Sequence, residues 1–439
     1  MKRILYGLLI TFSIQFSAES QNVGIGTTTP MARLHVTDSS VLFSAPGNIP
    51  ASKHKTPTTL GGRRLLWYPD KAAFRVGYAV YDEWDSAGIG LYSIGMGYGN
   101  FATGIYSASI GHGSGASGIS SFATGDFTNA VGDYTFTAGQ YTSAKKPFCF
   151  ASGYTALANG YSSIAIGYKA QADGDYGVAL GSGTFANGAY SYSLGYNAAA
   201  YGAYSFAAGN FTKANGNSAV AAGTTTTAGG DYSFAVGKDC QANGVGSVAM
   251  GYGNMAPGAY SFAAGSFCHA NNFYSVAMGD NTTAGGFAAF SMGDATSAGG
   301  DYSFATGISA TASGTRSIAM GTNINATGNG SMIFGSNLFD GGHKGNAMLG
   351  DTDPWNAGSV GSGTNDQMIC RFTNGYYFIT GGNTNRTGIV ANHGDNSWSA
   401  ISDSTKKEKV LPVNGEEFLH KISQFKLATW NYKGQDSKT

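Results

Sequence analysis

The chain has 439 residues, among them 68 glycines, 26 tyrosines and 26 phenylalanines, and its 25 acidic side chains balance 25 basic ones. So sparse and neutral a charge leaves no electrostatic footprint for nucleic acid or an anionic membrane. Collagen is excluded because glycine follows no period of three and there are only 9 prolines, and the aromatic content excludes a disordered linker.

Residues 1–20 read as a secretory signal peptide. Lys2 and Arg3 lead, residues 4–16 are apolar, and Ala18-Glu19-Ser20 supplies small residues before Gln21. That run is too short for a membrane span and no apolar run of eighteen follows it. The expected product is exported, soluble and without a transmembrane span. Residues 21–91 contain "NVGIGTTTPMARLHV" and "RRLLWYPDKAAFRVG", alternating stretches broken by Gly and Pro. They predict short strands and an N-terminal β cap, which a solenoid needs to close its open end.

From Tyr92 the chain repeats every fourteen residues. Position 6 of each block is glycine from Gly97 to Gly335, eighteen times without an insertion or deletion. Position 11 is alanine from Ala102 to Ala326, and position 13 is glycine from Gly104 to Gly328 apart from Lys146 and Asn272. A repeat this strict is read before any other feature. Glycine at this density rules out helices with a heptad pattern. The period fits one coil of a small parallel β-solenoid with two short strands, the first like "SFAAG" and the second like "TKANG".

Alternation sends successive side chains to opposite faces. Ser205, Ala207 and Gly209 at positions 2, 4 and 6 are expected to face Thr212, Ala214 and Gly216 at positions 9, 11 and 13 across a narrow interior. The glycines are expected at turns with positive φ. Outside, the second strand is polar, as in Lys213 with Asn215, Gln171 with Asp173 and Gln241 with Asn243. The first strand is apolar, as in Ile164 with Ile166, Val248 with Met250 and Val276 with Met278. This stripe would run roughly 80 Å at ~4.8 Å per coil. Covering two such side chains contributes up to roughly 3 to 5 kcal/mol per coil. So large an apolar stripe calls for partner chains, and closed rotational assembly supplies them.

The repeats over residues 92–337 resemble the head repeats of YadA-like trimeric autotransporter adhesins, carried by "SIAIG" at 163–167, "GVALG" at 177–181 and "SVAMG" at 247–251. The resemblance implies a left-handed parallel β-roll and a homotrimer joined through the apolar strand. The activity it implies is adhesion to a host-surface protein or glycan, with no nucleic acid as partner.

Residues 338–400 lose the period and are expected to form a β neck. Within "MICRFTNGYYFIT", Asn374-Gly375 signals a hairpin. From Ser402, "SDSTKKEKVLPVNGEEFLHKISQFKLATWNYKG" resembles the start of the intramolecular chaperone peptidase of phage tailspikes and endosialidases. That resemblance makes residues 401–439 the truncated start of such a domain. It assigns Ser402 as nucleophile, Lys407 as general base, Asp403 as the residue orienting the turn, and Ile401–Ser402 as the bond cut. Burial would favour the unprotonated lysine, and Lys406 and Lys409 are alternatives within reach. In "NGEEFLHKISQF" the spacing of Phe418, Ile422 and Phe425 predicts a short amphipathic helix. The fold class expected is therefore an all-β solenoid with a short C-terminal α+β piece.

The remaining signals read as structure. "GIGLYSIGMGYG" at 88–99 suggests a nucleotide loop, but no Gly-Lys-Ser/Thr follows it. His35, His54, His112, His269, His343, His393 and His420 never fall at metal-ligand spacing, so neither metal nor cofactor is expected. Of the four cysteines, Cys240 and Cys268 share position 9 two coils apart, about 9.6 Å and beyond disulfide reach. Ten coils begin with tyrosine, which reads as a corner packing coil on coil or as an aromatic strip for glycan or protein contact. "GDY" at Gly132, Gly174, Gly230 and Gly300 reads as turn chemistry, with a weak cation site as the alternative. The alternative to adhesion is an enzyme: a self-processing serine peptidase with the repeats as a passive stalk, or a carbohydrate-active β-helix. The latter usually shows looser coils and clustered carboxylates, and neither is present.

Overall fold

The computed structural model describes residues 22–51, 56, 61–81, 83–351, 359–380, 388–401 and 411–426. Among them, 39 strands join one continuous ladder, from Gly62–Tyr68 to Met368–Arg371. Each first strand pairs in parallel with its copy fourteen residues on, as in Phe206↔Val220, Ala207↔Ala221 and Gly209↔Gly223. Second strands do the same, with Lys213↔Thr227 and Ala214↔Ala228. The backbone bonds run from coil to coil, for instance from Phe206 N–H to Ala219 O at 2.9 Å. The repeat is thus an all-β solenoid, as the period predicts.

Three local features differ from the sequence reading. The second strand is only two residues long, as in Lys213–Ala214, because the chain leaves the ladder before position 13. Each coil also turns at two left-handed corners, positions 1 and 8, and these are mostly not glycine: Tyr204 has φ 59° and Phe211 φ 53°. Their N–H groups donate to the preceding coil, from Tyr204 to Ala189 O at 2.8 Å and from Phe211 to Tyr196 O at 2.9 Å. Finally, the position-6 glycines do have positive φ, but inside the strand and not on the interior face. Gly209, at φ 126°, is half-exposed. A Cβ on it would lie 2.0 Å from the carbonyl oxygen of Gly223. Close stacking, more than turning, excludes a side chain here.

The interior is otherwise as expected. Ser205, Ala207, Thr212 and Ala214 are completely buried. Many position-2 hydroxyls fold back on the chain, as when Ser107 Oγ donates to Gly104 O at 2.7 Å, whereas those of Ser191, Ser205 and Ser303 do not. Where position 9 is asparagine, the amide satisfies itself against the backbone. Asn254 Nδ2 donates to Gly265 O at 2.7 Å, and its Oδ1 accepts from Cys268 N–H at 2.7 Å.

Both ends of the ladder change character. At the start, Gly62–Tyr68 and Ala73–Ala79 form an antiparallel hairpin around the 3-10 turn Pro69–Lys71, and Ala73–Ala79 stacks in parallel on Ile94–Tyr98. Buried Arg75 fills the interior there, donating from Nη1 to Phe74 O and Ser93 O and from Nη2 to Ser93 Oγ and Ala102 O, all within 3.0 Å. Gly95 makes the room, because a Cβ on it would lie 2.8 Å from Arg75 Cδ. At the far end the ladder continues beyond residue 337. Met332–Ser336 pairs with Ala347–Gly350, which pairs with Met368–Arg371. Ile324, Ile333, Leu338 and Met348 fill a wider interior. Asn374-Gly375 does not close a hairpin: Met368–Arg371 belongs to the ladder, whereas Gly375–Ile379 pairs with Gly388–Asn392 and then Ser399–Ala400 in a separate antiparallel sheet. The predicted helix is present at Gly415–Ser423, where Asn414 caps Glu416 N–H and Lys421 meets Glu417 at 3.1 Å.

Candidate interaction surface

The first strands present positions 3 and 5 outward, as the alternation predicts. Val248 is half-buried and Met250 exposed, while Ala249 between them is completely buried. Like residues stack along this face: Phe122, Phe136 and Phe150 are parallel rings with centroids 5.4 and 4.8 Å apart. The stripe carries over onto the hairpin, where Phe74 and Val76 sit in register with Ile94 and Met96. The opposite face is mostly polar, with Phe101, Val131, Phe185 and Tyr201 as exposed exceptions. Asp173 there accepts from Asn159 Nδ2 and Gln171 Nε2, both at 2.6 Å.

The corners carry aromatic columns. At position 1, Tyr176, Tyr190 and Tyr204 stack with centroids 4.7 and 5.0 Å apart and nearly parallel planes. This column does pack coil on coil. A second column on the other corner went unrecognised in the sequence. It runs through Tyr78, Tyr98, His112, Phe127, Tyr141, Tyr154 and Tyr168 with centroids within 6.2 Å. From Tyr98 on its members shift from position 7 to position 8 and back, which hides the spacing.

The "GDY" aspartates serve as turn chemistry. Asp133, Asp175, Asp231 and Asp301 each accept, through Oδ1 at 2.8 Å, the backbone N–H of the residue fourteen positions earlier. No group of three or more His, Cys, Asp or Glu residues that could hold a metal occurs among the described residues. Cys149, Cys240 and Cys268 are buried free thiols and Cys370 is a half-buried one. Burial pushes the Cys240 thiol up, against backbone hydrogen bonds that pull it down. The glycine cluster at 88–99 is absorbed into the first coil, with Ile94–Tyr98 as its strand.

Ser402, Asp403 and Lys407 lie outside the described residues, as do the alternative bases Lys406 and Lys409 and residues 1–20, where a signal peptide is expected. Ile401, just before the expected cleavage point, donates its N–H to Gly388 O at 2.9 Å and so continues the edge of the antiparallel sheet.

A narrow interior of small residues and a largely apolar wall along the first strands describe a surface made for contact. The repeats match the YadA head domain repeat. That family model, which spans two copies, aligns with residues 89–114, 102–128, 151–184, 186–212, 214–239, 242–267 and 289–323. No curated protein matches the chain. The YadA-like repeats point to an adhesin of the trimeric autotransporter type and to a surface or extracellular location. No helix among the described residues is long and apolar enough to cross a membrane.

Proposed function

We propose that the chain is a secreted or cell-surface fibrous adhesin, similar to a tail fibre, that works as a homotrimer. The observation that carries this reading is the apolar column on one wall of the solenoid, of which Val248 and Met250 are part. Its length and one-sidedness suit burial against sister chains, and the YadA head repeats favour three of them. The ligand is then a host-surface protein or glycan held by the outer faces of the rod. The measured mass in solution tests the reading: a species of three chains is expected, and a stable monomer overturns it.

Maturation belongs to the same proposal. The segment from Ser402 acts as an intramolecular chaperone that helps three chains align. Ser402 Oγ attacks the Ile401 carbonyl and gives its proton to Lys407, and the Ile401–Ser402 C–N bond breaks as the leaving amine takes up a proton. Water then hydrolyses the resulting ester to sever the chain, with Asp403 holding the turn. What supports this is the resemblance of that segment. Chain expressed together with whatever coding sequence follows Thr439 should be processed, and the same chain carrying Ser402→Ala should remain uncut. Equal processing of both removes the dyad.

A further inference from the structure

Stacked tyrosines turn their faces toward one another, so a continuous column offers a ligand only ring edges. Its interruptions are different. All four "GDY" coils follow a coil whose corner residue is small: Ser120 precedes Tyr134, Ser162 precedes Tyr176, Ser218 precedes Tyr232 and Ala288 precedes Tyr302. At each, one ring is missing from the column. The gap between the flanking rings is two coils, about 9.6 Å. Tyr190, with rings on both sides, is 43% exposed, whereas Tyr204, with a ring on one side only, is 65% exposed. Tyr232, flanked by Ser218 and Gly246 and so without a ring on either side, is 69% exposed, while Tyr176 beside Ser162 stays at 48%.

One gap is already filled by the chain itself. Phe287, the residue before Ala288, inserts between Tyr274 and Tyr302 with centroids 5.7 and 5.4 Å away. The spacing therefore admits a six-membered ring, held edge-on to both tyrosines. In the gap at Ser218 the residue matching Phe287 is Asn217, and both Asn217 and Ser218 are exposed. The Asn217 amide and backbone N–H donate to Asp231 Oδ1 at 3.2 and 2.8 Å, and Asp231 Oδ2 takes neither bond.

We infer that the slot formed by Tyr204, Tyr232, Asn217, Ser218 and Asp231 binds an uncharged pyranose ring of an oligosaccharide. A pyranose has the size of the phenyl ring that fills the sister slot, and turned parallel to the flanking rings it lays its apolar C–H faces on the aromatic walls. Its hydroxyls match the hydroxyl, amide and carboxylate at the base, which would otherwise be matched by water. A phenyl side chain from a partner would offer nothing to the Ser218 hydroxyl or to Asp231 Oδ2, which favours sugar over an aromatic peptide. The inference gives a ligand class to the adhesive reading above and rests on that reading only for its biological purpose.

Saturation-transfer NMR on the full chain, with cellotetraose and triacetylchitotriose as probes and N-acetyltryptophanamide as comparison, tests it. Transfer to ring protons of at least one sugar is expected. Asn217→Phe with Ser218→Ala copies the filled slot and should lower that signal about tenfold or more, since it removes contact with both rings. Phe287→Asn with Ala288→Ser opens the filled slot and should increase the signal. The inference is overturned by no transfer to either sugar, by equal transfer to native and filled chains, or by transfer to the tryptophan derivative alone. If the filled variant fails to fold, the gain in the opened variant decides. Mass measured on the same samples separates the two readings: a monomer that still binds sugar ends the trimer reading and leaves the slot.

Discussion

At the scale of single residues, the solenoid depends on how closely neighbouring backbones approach. A Cβ on Gly209 would lie 2.0 Å from the next coil's carbonyl oxygen, at a φ of 126°. Gly209→Ala should therefore destabilise the rod by about 3 kcal/mol or more, combining backbone strain with overpacking. Thermal melting of the variant measures it, and an unchanged midpoint would contradict the stacking argument. The period made these glycines legible, but their role was assigned to the wrong place. The real corners are residues such as Tyr204 and Phe211, whose left-handed strain is offset by ring stacking and by N–H bonds to the coil before. That compensation acts across fourteen or fifteen residues, so no local turn preference reveals it. Spacing does place Cys240 and Cys268 correctly as separate interior thiols.

Among the elements, the regular coils were readable and the ends were not. A coil repeats one solution, so its faces follow from alternation alone. Arg75 shows why the first end differs. Its sequence context reads as an ordinary strand, yet its guanidinium occupies the solenoid interior, where burial pushes its pKa down to about 10 and it remains charged at neutral pH. The far end relies on Asp340. Burial raises this carboxyl, but bonds from the Thr327 hydroxyl and from the N–H groups of Gly328, Gly342 and Thr327 outweigh it and hold it below its ordinary value. A carboxyl depressed on folding stabilises fully above its unfolded pKa, about 3.9, and loses that contribution as pH falls through the folded value. The melting difference between native chain and Asp340→Asn should therefore close as pH drops below about 4. A difference that persists unchanged at lower pH would count against it. Asn374-Gly375 was misread because a favourable turn dipeptide says nothing about which strands pair. Met368–Arg371 finds its partner in the ladder.

For the whole molecule, the decisive property is the imbalance between its two walls. Met250→Asp would place a carboxylate within the apolar column while leaving the buried neighbour Ala249 untouched. Sedimentation should then report single chains whose circular dichroism is still that of a β-solenoid. Trimers that persist in the variant would move the interface elsewhere on the rod. The binding slots were less legible than the wall. Tyrosine at position 1 stands out in the sequence, but only the observed stacking shows that its π-faces are used up except where a small corner residue interrupts it.

The direction of the inter-coil bonds has a mechanical consequence. They lie along the axis of the rod, so tension between its ends is borne by one pair of coils at a time. Each coil that peels away converts ~4.8 Å of rod into fourteen extended residues, lengthening the tether by roughly 40 Å. Under shear such a molecule gives way in small instalments and keeps its grip while it does so.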